Sequence, residues 1–266
     1  MRNHFLRAAT GKGLWTPAQI TTALWLDAAD NTTVFSDAGT TQAVAGTSTV
    51  QQWSDKSGNG QHVSQATTGN RPAYAANAIN SKPVIRLSNS TNTNLRKITH
   101  TLPTGSSPWT YVLVCKGRTA NTEIFGWGSN SGSGSRAGIY FYNLALSLES
   151  ANPIHAGANF PTDAAVAAGS FTGGMISNYL QWVNGSSDAL ALIGGNITMA
   201  ITNTELAIGA IPGAQTLSPS IDVGEIIIVA GAPSTDTRQR VEGYLAHKWG
   251  LTANLPSDHP YKTVAP

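Results

Sequence analysis

At 266 residues, 41% of them hydrophobic, the chain can bury one sizeable core, and its longest apolar run, around 226–231, is far short of the ~18–20 residues of a membrane span. Charged residues make only 11% of it, against roughly 25% in ordinary globular proteins, and a net charge of +2 excludes a basic footprint for nucleic acid and an acidic one alike. A single cysteine, Cys115, excludes an intrachain disulfide framework and reads as a small core hydrophobe. The polar surface must therefore be Ser, Thr, Asn, Gln and Gly, residues that favour turns and strands over helices.

Residues 1–15 have no period. Arg2 and Arg7 alternate with Phe5, Leu6, Leu14 and Trp15, which reads as an N-terminal arm. No apolar stretch of about 7–15 residues follows Met1, so the start does not read as a secretory signal peptide. Thr16, Pro17 and Gln19 suit a capping box, which predicts a short helix over 17–23. From there to about 230 the pattern is short apolar or alternating runs between Gly, Asn, Ser, Asp and Pro, the spacing of a sandwich or barrel. Strands are expected at 50–53, 83–87, 109–116, 123–127, 138–142, 179–183, 196–201, 206–210 and 224–230. Asn184 and Gly185 tolerate positive φ and mark a hairpin, while 129–135, nearly all Ser, Gly and Asn, reads as a flexible loop. A helix follows near the C-terminus, capped by Ser234, with Val241, Tyr244, Leu245 and either Lys248 or Trp249 on one face and Gly250 as its stop. No linker separates two cores, so 16–266 is read as one domain behind the arm.

Several segments together resemble bacterial and phage proteins that carry a LamG-like, concanavalin A-like jelly-roll domain. They are Leu24-Trp25-Leu26-Asp27, Trp53-Ser54-Asp55-Lys56-Ser57-Gly58-Asn59-Gly60, Arg71-Pro72-Ala73-Tyr74, Lys82-Pro83-Val84-Ile85-Arg86, Val183-Asn184-Gly185, Gly224-Glu225-Ile226, and Gly243-Tyr244-Leu245-Ala246-His247-Lys248-Trp249-Gly250-Leu251. The resemblance covers about 24–262. It implies an all-β fold, an antiparallel jelly-roll sandwich with one short C-terminal helix, in agreement with the periodicity. It leaves activity open, because such domains include glycan binders, adhesive modules and virion proteins.

Asp27, Asp30 and Asn31, and again Asp55, Ser57 and Asn59, have the oxygen-rich spacing of a calcium site, but a tight Asx turn explains the second cluster as well and no glutamate closes an EF-hand loop. No cofactor or metal is predicted. Hydrolysis of a glycoside needs paired carboxylates, and the Glu-x-Asp-x-Glu strand of concanavalin-like glucanases is absent. No Gly-x-Ser-x-Gly elbow precedes a helix, and the six histidines form no His-x-x-x-His pair. No catalytic residue is therefore expected. Trp127, Tyr140, Tyr142 and Asn143 flank the Ser/Gly loop and are the candidates for stacking on and reading a sugar, against the alternative that the aromatics fill the core.

A surface poor in charge, with neither export signal nor disulfide, points to a non-enzymatic phage virion protein, a capsid decoration or tail adhesion module with glycan binding as a second role. Its arm would dock on other virion proteins in an oligomer or larger assembly at the virion surface, with no nucleic acid partner and no membrane insertion. The alternatives are an extracellular carbohydrate-binding module and, behind it, a glycoside hydrolase or lyase.

Overall fold

The computed structural model describes residues 14–214 and 216–266. Among them, two antiparallel sheets face each other and Thr235–Trp249 is the one α-helix. Across the eight-stranded sheet the order is Ser186–Ser187, Tyr179–Val183, Ala165–Phe171, Trp109–Lys116, Ile221–Ala230, Lys82–Leu87 and Ala73–Ile79, with Thr22–Asp27 also paired along Ile221–Ala230. The ten-stranded sheet runs Ala191–Ile193, Ile154–Asn159, Ala145–Glu149, Arg136–Tyr142, Thr122–Gly128, Glu205–Ile208, Leu95–Ile98, Val63–Ser64, Gln52–Trp53 and Val34–Phe35.

Trp109–Lys116 reads as an unbroken apolar run because both of its faces are covered. Trp109, Tyr111, Leu113 and Cys115 point into the core between the sheets, while Val112 and Val114 lie under the helix with Val241, Leu245 and Trp249. Ser234 Oγ accepts the Thr237 amide at 3.2 Å, and Gly250 ends the helix at φ 68°, a left-handed geometry that favours glycine. The expected hairpin forms at Asn184 (φ 51°) and Gly185 (φ 80°).

Two expectations fail, and three strands form where none was expected. The helix predicted over 17–23 is only a 3-10 turn, Pro17–Gln19, because Thr22–Asp27 gains ladder bonds and burial beside Ile221–Ala230. The strand at 196–201 reduces to isolated bridges at Thr198 and Ile201. Conversely, Ala145–Glu149, Ile154–Asn159 and Ala165–Phe171 are strands without a strong local signal, held by neighbours on both sides. Of the arm, Arg2, Phe5, Leu6 and Arg7 lie outside the described residues. Leu14 is 74% exposed, and Trp15 packs edge-on against Tyr244 with centroids 6.2 Å apart.

The register of the ten-stranded sheet decides what its outer face carries. Phe125, Trp127, Ala137, Ile139, Phe141, Leu146 and Leu148 face the core, so Gly126, Arg136, Gly138, Tyr140 and Glu149 face outward. Strict alternation would send Glu123 inward with Phe125. A bulge intervenes, however: Ile139 pairs with Phe125 but Tyr140 pairs with Glu123, so Ile124 enters the core and Glu123 turns to the outer face.

Candidate functional site

The most recognisable motifs meet in a buried ionic lock. Asp27 accepts Lys56 Nζ at 2.9 Å and Lys248 Nζ at 2.7 Å; Lys248 also reaches Glu225 at 2.6 Å, and Lys56 reaches Asp30 at 2.6 Å. The indole N–H groups of Trp25 and Trp249 each donate to Glu225 at 2.8 Å. Burial, with Asp27 nearby, pushes the Glu225 carboxyl up, and Lys248 opposes that shift. Asp55 accepts the Trp25 amide at 2.9 Å, the Ser57 hydroxyl at 2.7 Å and the Gln61 amide at 3.0 Å, while Asn59 Nδ2 donates to the Thr22 carbonyl at 2.8 Å. The carboxylates of both oxygen-rich clusters are thus engaged by lysines or by N–H and O–H donors. The arrangement ties the first strand, the Asp55–Gly60 turn, the sheet and the helix together, and every charge in it has a partner.

The outer face of the ten-stranded sheet holds a second buried charge cluster with a different character. Glu149 is ion-paired with Arg136 and accepts the Asn152 amide at 3.1 Å. Glu205 is ion-paired with Arg96 and accepts the Gly213 amide. Glu123 has no such support. It is 0% exposed, neither carboxyl oxygen has a hydrogen-bond donor, and its nearest cation is Arg136 Nη2 at 3.8 Å. Burial holds its carboxyl well above the usual range, opposed by Arg136 and reinforced by Glu149. Tyr140 lies on the same face, its hydroxyl pushed up to about 12 by burial and by the two glutamates.

Glycine makes room for this carboxyl. Gly126 and Gly138 are paired across adjacent strands, and a Cβ on Gly138 would stand 2.6 Å from Glu123 Oε1. A Cβ on Gly126 would meet the same oxygen and lie 2.8 Å from the Ala137 carbonyl. Gly126→Ala should therefore lower stability by about 1–3 kcal/mol through overpacking, which thermal unfolding checks; an unchanged midpoint would mean that the carboxyl does not rest on the strands.

The structure separates the aromatic candidates. Trp127 does not present a face to ligand: it is 0% exposed, edge-on to Trp109 with centroids 5.0 Å apart, and donates to the Pro103 carbonyl at 2.9 Å. Tyr140 stands beside the glutamates, almost covered. Tyr142, half-buried, follows two residues along the same outer face, and Asn143 is exposed in the turn to the next strand at φ 46°. Sequence reasoning missed Glu123, Arg136 and Glu149 because it sought carboxylates along one strand, whereas these come from three adjacent strands. The one local signal was Gly126 and Gly138 inside otherwise apolar strands, a mark of close approach by another group.

No protein-family profile matches the chain, and no curated protein does. Solved structures do. An arabinofuranosidase complexed with arabinofuranosyl-α-1,2-xylobiose superposes with TM-score 0.58 at 16% identity over 83% of this chain and 58% of its own. A family 54 α-L-arabinofuranosidase soaked with 4-nitrophenyl α-L-arabinofuranoside gives TM-score 0.62 at 15% identity, over 83% and 61%. Domain 4 of a family 43 extracellular arabinanase from Geobacillus stearothermophilus, in complex with arabinotriose, gives 0.52 at 16% identity, over 80% and 94%. The chain thus spans about three-fifths of the arabinofuranosidases it matches. At this identity the likeness establishes the all-β sandwich fold. The expectation of a non-enzymatic phage virion protein is corrected by it: the sandwich is shared with glycoside hydrolases. The carboxylates that the one-strand pattern did not supply are brought together here from separate strands, Glu123 from Thr122–Gly128 and Glu149 from Ala145–Glu149.

Proposed function

We propose that this sandwich cleaves glycosidic bonds in arabinose-containing glycans, with Glu123 as proton donor and Glu149 as the carboxylate that serves as nucleophile or base. The observation that carries this reading is Glu123: a wholly buried carboxyl without a hydrogen-bond donor, whose acid form burial favours, next to Glu149, which is ion-paired with Arg136. Two carboxyls on one face in contrasting environments are what glycoside cleavage uses, one protonating the departing oxygen and the other supplying negative charge to the ring. Arg136 positions the pair. Tyr140 and Tyr142 would border the sugar, and the LamG-like resemblance is compatible with a saccharide on this fold. The substrate class comes from the ligands of the similar structures.

The purified chain is expected to release arabinose from arabinotriose and 4-nitrophenol from 4-nitrophenyl α-L-arabinofuranoside. Glu149→Gln should lower both rates by at least about 10²-fold. An inactive wild-type protein, or an unaffected variant, would overturn the assignment.

A further inference from the structure

We propose that the outer face of the eight-stranded sheet carries a second ligand site, in which Lys116 holds the carboxylate of a uronic-acid sugar. This face is on the other side of the sandwich from Glu123, and the site stands independently of the catalytic reading. Lys116 ends the strand Trp109–Lys116, follows Val112 and Val114 on the outer side, and is exposed. Two clefts meet at it. One, of about 410 Å³, is bordered also by Arg86, Asp222 and Ser220; the other, of about 290 Å³, by Asn80, Asp163 and Asn254. The register explains why this lysine is free. Asp222 lies between Arg86 and Lys116 in one cross-strand row, and Arg86 takes both of its oxygens, Nε to Oδ1 at 2.6 Å and Nη2 to Oδ2 at 2.9 Å. Among the described residues, the Lys116 ammonium then makes no ion pair or hydrogen bond, and neither does the Asp163 carboxylate.

The smaller cleft is rich in acceptors whose positions are fixed. Asn80, at φ 44° in the turn before Lys82–Leu87, donates Nδ2 to the Trp249 and Gly250 carbonyls at 2.7 and 3.1 Å. Asn254 Nδ2 donates to the Ala164 carbonyl at 3.1 Å. Both amide nitrogens are engaged internally, so the side-chain oxygens, with Asp163, are what the cleft offers to a donor. Among the described residues no aromatic ring borders either cleft, so recognition rests on hydrogen bonds and charge rather than on stacking. Arg86 and Lys116 are balanced by Asp222 and Asp163, which disfavours an ion of multiple negative charge. The complement is a single carboxylate for Lys116 on a body rich in hydroxyls, whose O–H groups donate to Asp163 and the two asparagines. A uronic-acid sugar has that chemistry.

The test is an NMR titration of the whole chain with cellobiouronate and with cellobiose, which differ only in carrying a carboxylate or a hydroxymethyl group. Cellobiouronate is expected to bind at least about tenfold more tightly, the scale of one charge-assisted hydrogen bond. It should shift the amides of Gly117 and Gly250, which border the two clefts, and leave that of Gly126 on the other sheet unmoved. Lys116→Gln should abolish the difference between the two sugars, and because Lys116 is exposed the variant keeps the fold. Absence of binding, equal affinities for the two sugars, or an unaffected Lys116→Gln variant would overturn the proposal. So would inorganic phosphate binding as tightly as cellobiouronate, which would mark a general anion site.

Discussion

Glu123→Gln is expected to lower turnover of arabinotriose by about 10²–10⁴-fold while leaving the fold at least as stable as before. The combination is diagnostic. A carboxyl that served the fold would have donors around it, and its loss would destabilise. Glu123 has none, so burying its charge works against folding, and a neutral amide of the same shape relieves that penalty. The sign with pH follows. Because the folded-state pKa is raised, the native protein holds this proton at pH values where the unfolded chain has released it. Wild-type stability therefore falls as pH rises from about 4.5, the ordinary glutamate value, through the raised one. The glutamine variant should lack that slope. Urea unfolding at pH 5 and pH 8 would show it, and a variant less stable than wild type at pH 8 would mark Glu123 as structural.

Lys248→Met is expected to cost about 3–5 kcal/mol of stability, the scale for leaving buried charges without their partner. Among the described residues, Lys248 is the only cation ion-paired with Glu225, and it shares Asp27 with Lys56. Removing it leaves Glu225 with the Trp25 and Trp249 N–H groups, and crowds Asp27 and Asp30 onto one lysine. The lock joins segments far apart in sequence, with Trp25 and Glu225 separated by 200 residues. Its loss should therefore lower the midpoint of the whole cooperative transition. A midpoint within experimental error of wild type would show the network to be dispensable.

The fold was largely legible because its strongest signals are local. Tyr179–Val183 with Asn184 and Gly185, and the helix between Ser234 and Gly250, carry their turn and cap chemistry within a few residues. Ala165–Phe171 was not legible, since Ala, Gly and Ser say little alone and the strand exists through its neighbours. The candidate site was hidden by a subtler effect. Glu123, Phe125 and Trp127 have the period of one face, which made a continuous regular strand the natural reading, and a single bulged residue at Ile124 sends the glutamate to the opposite side. The motifs that stood out most, around Asp27, Lys56 and Lys248, are conspicuous because a buried ionic lock needs particular residues. That requirement belongs to folding and says nothing of chemistry.

Proton donation by Glu123 to the departing oxygen is tested most directly by comparing two leaving groups. 4-Nitrophenolate departs readily without a proton, whereas the alkoxide of a sugar does not. Measured side by side, kcat/KM of Glu123→Gln relative to wild type should fall far more on arabinotriose than on 4-nitrophenyl α-L-arabinofuranoside. Equal losses on the two substrates, or wild-type rates on arabinotriose, would contradict the assignment of Glu123 as the acid.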